Sequence, residues 1–196
     1  MNQIAVNSKQ AVSSATALLA AQWIIAVVSI PSAQDYATQL EAGTAADKIV
    51  TLYDNLSLLI TITLIWSWLT TNRYLLNVFD EEIKLNPGGF RLKRGWVTWG
   101  WIAPIVSFWF PKRIVDDLLT AKSKRLNQPN VVGKASATWW ITWVSYVLLN
   151  DLTAFNSITG QGDRIQPSYE IAAACMLTAS YMVWTKILKS LGNSPT

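Results

Sequence analysis

Residues 96–111 read WVTWGWIAPIVSFWFP. These sixteen residues hold four tryptophans, two phenylalanines and no charge, so the stretch leaves water readily. It is nonetheless a poor crossing helix. A span needs ~20 apolar residues, and sixteen in one helix reach only about 24 Å at 1.5 Å per residue, short of the ~30 Å hydrocarbon core. Pro104 would also withdraw a backbone hydrogen bond at a depth where no water replaces it. Lys93 and Arg94 precede the stretch and Lys112 and Arg113 follow it, so both ends carry the same sign. The reading is a re-entrant hairpin that enters the membrane and returns to the side it left, with its turn near residues 103–106 and Ser107 the nearest polar side chain.

Four longer apolar runs flank it. Residues 11–30 are uncharged, residues 49–70 carry only Asp54, residues 135–156 carry only Asp151, and residues 168–188 close the set between Glu170 and Lys186. Each is long enough for a transmembrane helix. The first is longer than the 7–15-residue core of a signal peptide and lacks a fitting cleavage site, so it reads as an uncleaved span. The basic residues set the topology. One lies before the first span, five and six lie in the connections either side of residues 96–111, and two lie at the carboxyl end. If the tryptophan-rich stretch spanned, giving five crossings, its two basic flanks would fall on opposite sides of the membrane, against the positive-inside rule. If it re-enters, fourteen of the sixteen Lys and Arg share one side and only Lys48 and Arg164 face the other. Both termini are then cytoplasmic.

Composition agrees with a single integral domain. Charged residues are 14% of the chain, against roughly 25% in a soluble domain. The net charge of +4 is concentrated in connections beside the membrane, so headgroups explain it better than nucleic acid does. Cys175 is the single cysteine, and there is no histidine. Histidine-ligated haem or zinc, Ser-His-Asp triads and Cys-His dyads are thereby excluded. Residues 112–125 place Ile114, Val115, Leu118 and Leu119 at helical spacing and predict an amphipathic helix. In the last run, Ala172, Cys175 and Ala179 form a small-residue face suited to close helix approach.

Trp68, Arg73 and Asn77 end the second run, Pro87-Gly88 makes a turn, and Trp99, Trp101, Pro104, Pro111 and Asp116 follow. Over roughly residues 60–145 this pattern resembles a bacterial membrane-protein family catalogued as domain of unknown function 4328. Ser107 and Arg113 depart from it, standing where asparagine and glutamine are common. The resemblance implies this architecture in a bacterial cytoplasmic membrane, and no activity.

Three groups of residues are candidates for a function. Trp96, Trp99, Trp101, Pro104, Ser107, Trp109 and Pro111 of the hairpin, with Trp139, Trp140 and Trp143, form either an interfacial anchor belt or an aromatic cleft for a lipid, a quinone or a partner helix. Asp54, Asn55, Asn150, Asp151 and Glu170 lie near the outer ends of their spans. They either reach headgroups and cap helix ends, or converge on a cation or proton site of hard oxygen ligands. Arg73, Arg91, Lys93, Arg94, Lys112, Arg113, Lys122, Lys124 and Arg125 are both a topology signal and contacts for anionic lipid. Asp116 and Asp117 are expected to pair with nearby basic residues, since adjacent positions on a helix do not face each other.

No nucleophile elbow, phosphate loop or dinucleotide fingerprint is present. The expectation is therefore an all-α, non-enzymatic membrane protein without a cofactor: an accessory, scaffold or assembly subunit. Its partners would be lipids and either a partner membrane protein or further copies of itself. The alternative is a small channel, transporter or sensor whose hairpin lines a cavity.

Overall fold

The structure, a computed structural model, describes residues 3–85, 88–103, 105–126, 132–159 and 165–192. Pro104, Pro87 and Arg164 lie outside the described residues. Among the described residues every regular element is helical: α1 Gln3–Glu41, α2 Leu52–Leu85, α3 Trp96–Trp99, α4 Phe110–Arg125, α5 Val132–Thr159 and α6 Pro167–Gly192. Short 3₁₀ turns lie at Ala46–Lys48 and Val106–Phe108.

The long helices overrun the spans read from the sequence. The first was expected to end at residue 30, yet α1 continues through Pro31 to Glu41. Proline removes one backbone donor there, but the extension is held by buried Ser32, whose Oγ accepts the Tyr53 N–H at 3.2 Å. The helix stops where chemistry requires. Gly43 takes φ 86°, and Gly43 N–H and Thr44 N–H return to the carbonyls of Leu40 and Gln39, a Schellman ending that favours glycine. Likewise α2 runs past residue 70. It continues as one helix to Leu85 because Thr71, Tyr74, Leu75, Val78, Phe79 and Glu82 recur at helical spacing and are all buried.

Among the described residues three helices, α1, α2 and α6, are long and apolar enough to cross a membrane. The expected fourth, α5, has 28 residues, but Trp139, Trp140, Trp143, Tyr146, Asn150 and Asp151 dilute its hydropathy.

α1 packs against both α2 and α6, and α6 packs in turn against α5. The order across the molecule is therefore α2, α1, α6, α5, an arc whose outer members do not pack on each other. Polar side chains join its members: Ser14 to Thr70 at 2.6 Å, Thr16 to Tyr181 at 2.8 Å, and Trp23 Nε1 donating to Thr178 Oγ1 at 3.1 Å. Such bonds hold apolar helices in register where lipid supplies no driving force. The buried face of α6 is Ala173, Ala174, Leu177 and Ser180. The expected small-residue face is thus turned about one residue away, and Cys175 is exposed.

The predicted amphipathic helix is present as α4. It crosses the basic end of the arc and buries Ile114, Val115, Leu118 and Leu119 against Tyr74, Leu75, Val78, Leu188 and Leu191. Each such side chain contributes about 1.5–3 kcal/mol on burial, so α4 closes that end firmly.

Candidate functional site

The gap between α2 and α5 becomes a cleft. Trp101, Ile102, Ser107 and Phe108 lie across its basic end, and the space they leave has a volume of about 460 Å³. Leu64, Trp68 and Thr71 of α2 form one wall, and Trp139, Trp143 and Val147 of α5 form the other. Leu18 of α1 and Ser180, Tyr181 and Trp184 of α6 form the floor, with Trp101 and Phe108 as the roof. Among the described residues no acidic or basic side chain lines it.

The roof is a chain that doubles back. The Trp96 ring meets the Phe110 ring edge-on at 4.7 Å, so the segment returns to where it started. Gly100 permits this approach, since a Cβ there would stand 2.6 Å from the Trp96 carbonyl oxygen and 3.0 Å from the Phe110 Cβ. Thr98 Oγ1 donates to Asn72 Oδ1 of α2 at 3.2 Å, and Trp140 Nε1 of α5 donates to the Phe108 carbonyl at 2.9 Å. The segment therefore bridges α2 and α5. At its tip Ile105 is exposed with φ 68°, a conformation that a β-branched residue adopts only under constraint.

The ten residues expected to form a cleft are divided by the structure. Trp101, Ser107, Trp139, Trp140 and Trp143 line it. Trp96 and buried Pro111 lie behind the roof, Trp99 and Trp109 are exposed, and Pro104 is outside the described residues. Sequence reasoning missed Trp68, Tyr181 and Trp184. Trp184 stacks on Trp139 with ring centroids 4.6 Å apart and planes 21° from parallel.

The acidic and amide residues at the opposite end have separate tasks. Asp54 closes the start of α2, accepting from Thr51 N–H at 2.8 Å, one half of a capping box, and from Thr51 Oγ1 at 2.9 Å. Asn55 Nδ2 donates to the Thr51 carbonyl and Asn150 Nδ2 to the Tyr146 carbonyl, while Asp151 is exposed. Glu170 alone is buried, and it accepts from Gln22 Nε2 at 3.0 Å and from the Tyr53 hydroxyl at 2.6 Å. Among the described residues no three acidic or cysteine side chains stand close enough to hold a metal ion. Gln22, the one amide within the first apolar run, was the available signal for this cluster. Replacing Asp54 with alanine is expected to lower stability by about 0.5–2 kcal/mol, as loss of a helix cap does. Thermal unfolding with and without Na⁺ or Ca²⁺ checks it, because a cation ligand would make the loss depend on the ion.

The basic residues are less uniform than their sequence clustering suggested. Lys122 is not a lipid contact. It is buried, donates from Nζ to the Leu191 carbonyl at 2.8 Å, and lies 4.0 Å from Glu82. Burial pushes its ammonium below the usual lysine value, Arg125 adds to this, and Glu82 opposes it. Arg125 pairs with Glu82 at 2.7 Å, so α2, α4 and α6 meet in one ionic cluster. Arg91 pairs with Asp117, Lys112 with Asp116, and Arg94 with Asp80 through two bonds of 2.6 and 2.9 Å. The Arg94 bond holds the Asp80 carboxyl below the usual carboxylate range. Arg73, Lys93, Arg113 and Lys124 are exposed and form no ion pair among the described residues. Arg73 borders a second, more polar hollow of about 580 Å³ with Gln10, Asn72 and Asn77.

The family described as a domain of unknown function (DUF4328) matches residues 31–190. No curated protein and no solved structure matches the chain.

Proposed function

The chain belongs to the DUF4328 family, and from that premise we propose a non-catalytic integral membrane protein that works as an accessory subunit. In this reading α1, α2, α5 and α6 all cross the bilayer. The tryptophan- and proline-rich segment dips in from the cytoplasmic side and returns. Its working part is the lateral cleft between α2 and α5, where it holds an apolar membrane component for a larger complex. One observation carries this: a cleft with aromatic walls, open between α2 and α5 and lined by no charged side chain among the described residues. Such a site can bind and orient, but it offers no acid, base or nucleophile of matched pKa for a reaction. Irregular backbone at membrane depth is also tolerated where it lines a cavity, as Trp101, Ile102, Ser107 and Phe108 do. Exposed Arg73, Lys93, Arg113 and Lys124 would rest on anionic headgroups.

Purification in mild detergent, followed by mass spectrometry of the bound chains and lipids, tests the reading. It expects a reproducible partner chain or a retained lipid-soluble molecule. A bare chain that moves ions by itself in liposomes would replace it with a channel or transporter. That second reading draws support from the Gln22–Glu170–Tyr53 cluster, since an ionisable group buried within a membrane domain usually has a role beyond packing.

A further inference from the structure

The second hollow, at the basic end of the arc, differs in kind from the aromatic cleft. Gln10 and Ser13 of α1, Thr70, Arg73 and Asn77 of α2, and Arg94 ahead of α3 border it. Its frame is fixed: Ser14 and Thr70 tie α1 to α2 at 2.6 Å, and Arg94 is tied to α2 through Asp80 at 2.6 and 2.9 Å. Four of the bordering side chains have donors to spare. Gln10, Ser13, Arg73 and Asn77 make no side-chain hydrogen bond or ion pair among the described residues. No acidic side chain lines the hollow among those residues, and Asp80 is already taken by Arg94. Arg91, Arg94 and Arg125 each meet a carboxylate, whereas Arg73 meets none. The hollow therefore offers a positive charge and several neutral donors, and it asks for an anion rich in acceptor oxygens.

Its lower half says what the anion is attached to. Trp66 and Leu69 also line the hollow and are 45% and 51% exposed. They precede Arg73 by seven and four residues, so they share its face of α2 about two turns and one turn nearer the apolar middle of the helix. Charge above and hydrocarbon below match a phosphodiester carrying acyl chains. A planar guanidinium suits phosphate oxygens through paired N–H bonds. A zwitterionic head would add an ammonium that no carboxylate here receives. We propose that this hollow binds one anionic phospholipid, its phosphate held by Arg73 with Gln10, Ser13 and Asn77 donating, and its chains against Trp66 and Leu69. The proposal deepens the headgroup contacts named above and is independent of the aromatic cleft.

The test is native mass spectrometry of the full chain in mild detergent, with phosphatidylglycerol and phosphatidylcholine added in equal amounts. One phosphatidylglycerol should be retained with about tenfold preference. Arg73→Gln should weaken it about 5- to 10-fold and Asn77→Ala about 2- to 10-fold. Lys186→Gln removes the same charge from an exposed position on α6 outside the hollow, and it should change the affinity less than twofold. Arg73 is exposed and unpaired, so Arg73→Gln without added lipid should melt with the unaltered chain. Glycerol 3-phosphate, which has the anion without chains, should not displace the lipid at millimolar concentration. Displacement at the lipid's own affinity would overturn the lipid in favour of a soluble phosphate ester. Equal losses in Arg73→Gln and Lys186→Gln would overturn the site and leave general headgroup contact standing. No preference for phosphatidylglycerol in the unaltered chain would overturn both.

Discussion

Replacing Glu82 with glutamine is expected to destabilise the protein by about 3–5 kcal/mol, the range for breaking a buried ion pair from one side. Glu82 is 2% exposed and is the carboxylate shared by Arg125 at 2.7 Å and Lys122 at 4.0 Å. Lys122 is itself 4% exposed and gives one hydrogen bond to the last turn of α6. Without Glu82 two cations remain side by side in a packed site. The double variant Glu82→Gln with Lys122→Met should recover part of the loss, which the two single losses added together would not predict. Equilibrium unfolding in mixed micelles measures both. A loss under 1 kcal/mol would mean that water already reaches the cluster. The pH dependence has a definite sign. Burial lowers the folded pKa of Lys122 below 10.5, so in the interval below 10.5 the unfolded chain binds this proton more tightly. Stability contributed by this group therefore rises with pH across that interval. Removing Glu82, which opposes the shift, widens the interval.

Gly100→Ala is expected to cost about 1–3 kcal/mol, as overpacking does, and to open the hairpin. Its new methyl would lie 2.6 Å from the Trp96 carbonyl oxygen of its own turn and 3.0 Å from the Phe110 Cβ of the returning limb, so relief distorts that turn and parts the two limbs. Because Trp101 is the next residue, the cleft's roof should shift and its occupant should bind less tightly. Gly95→Ala is the matched control, since nothing lies within 4 Å of a Cβ there. Unfolding and ligand titration on the two variants separate a local clash from a general intolerance of alanine.

Much of the architecture was legible because membrane burial writes long apolar runs into a sequence. The runs beginning at residues 11, 49, 135 and 168 all became helices, and α4 buried the four side chains its spacing marked. The family match over residues 31–190 is wider than the stretch that carried the resemblance, because the motifs cluster around the hairpin while the fold involves nearly the whole chain. Helix ends were less legible. Pro31 follows the apolar run and read as its end, but tertiary packing carries α1 through it. The Glu82–Lys122–Arg125 cluster was hidden for a related reason, since it joins two helices far apart in sequence and each charge looks alone like an ordinary surface residue. Trp68 and Trp184 were hidden among eleven tryptophans until the order of the helices placed them on one cleft.

The most direct measurement concerns which side of the membrane the two flanks of the hairpin face. Single cysteines at Lys93, Arg113 and Asp47, all exposed positions, are introduced in a Cys175→Ser background and treated with an impermeant thiol reagent in intact cells. Positions 93 and 113 should both stay unlabelled until the cells are opened, while position 47 reacts at once. If positions 93 and 113 label from opposite sides, the segment crosses the membrane, and the account of a returning hairpin over a lateral cleft is wrong.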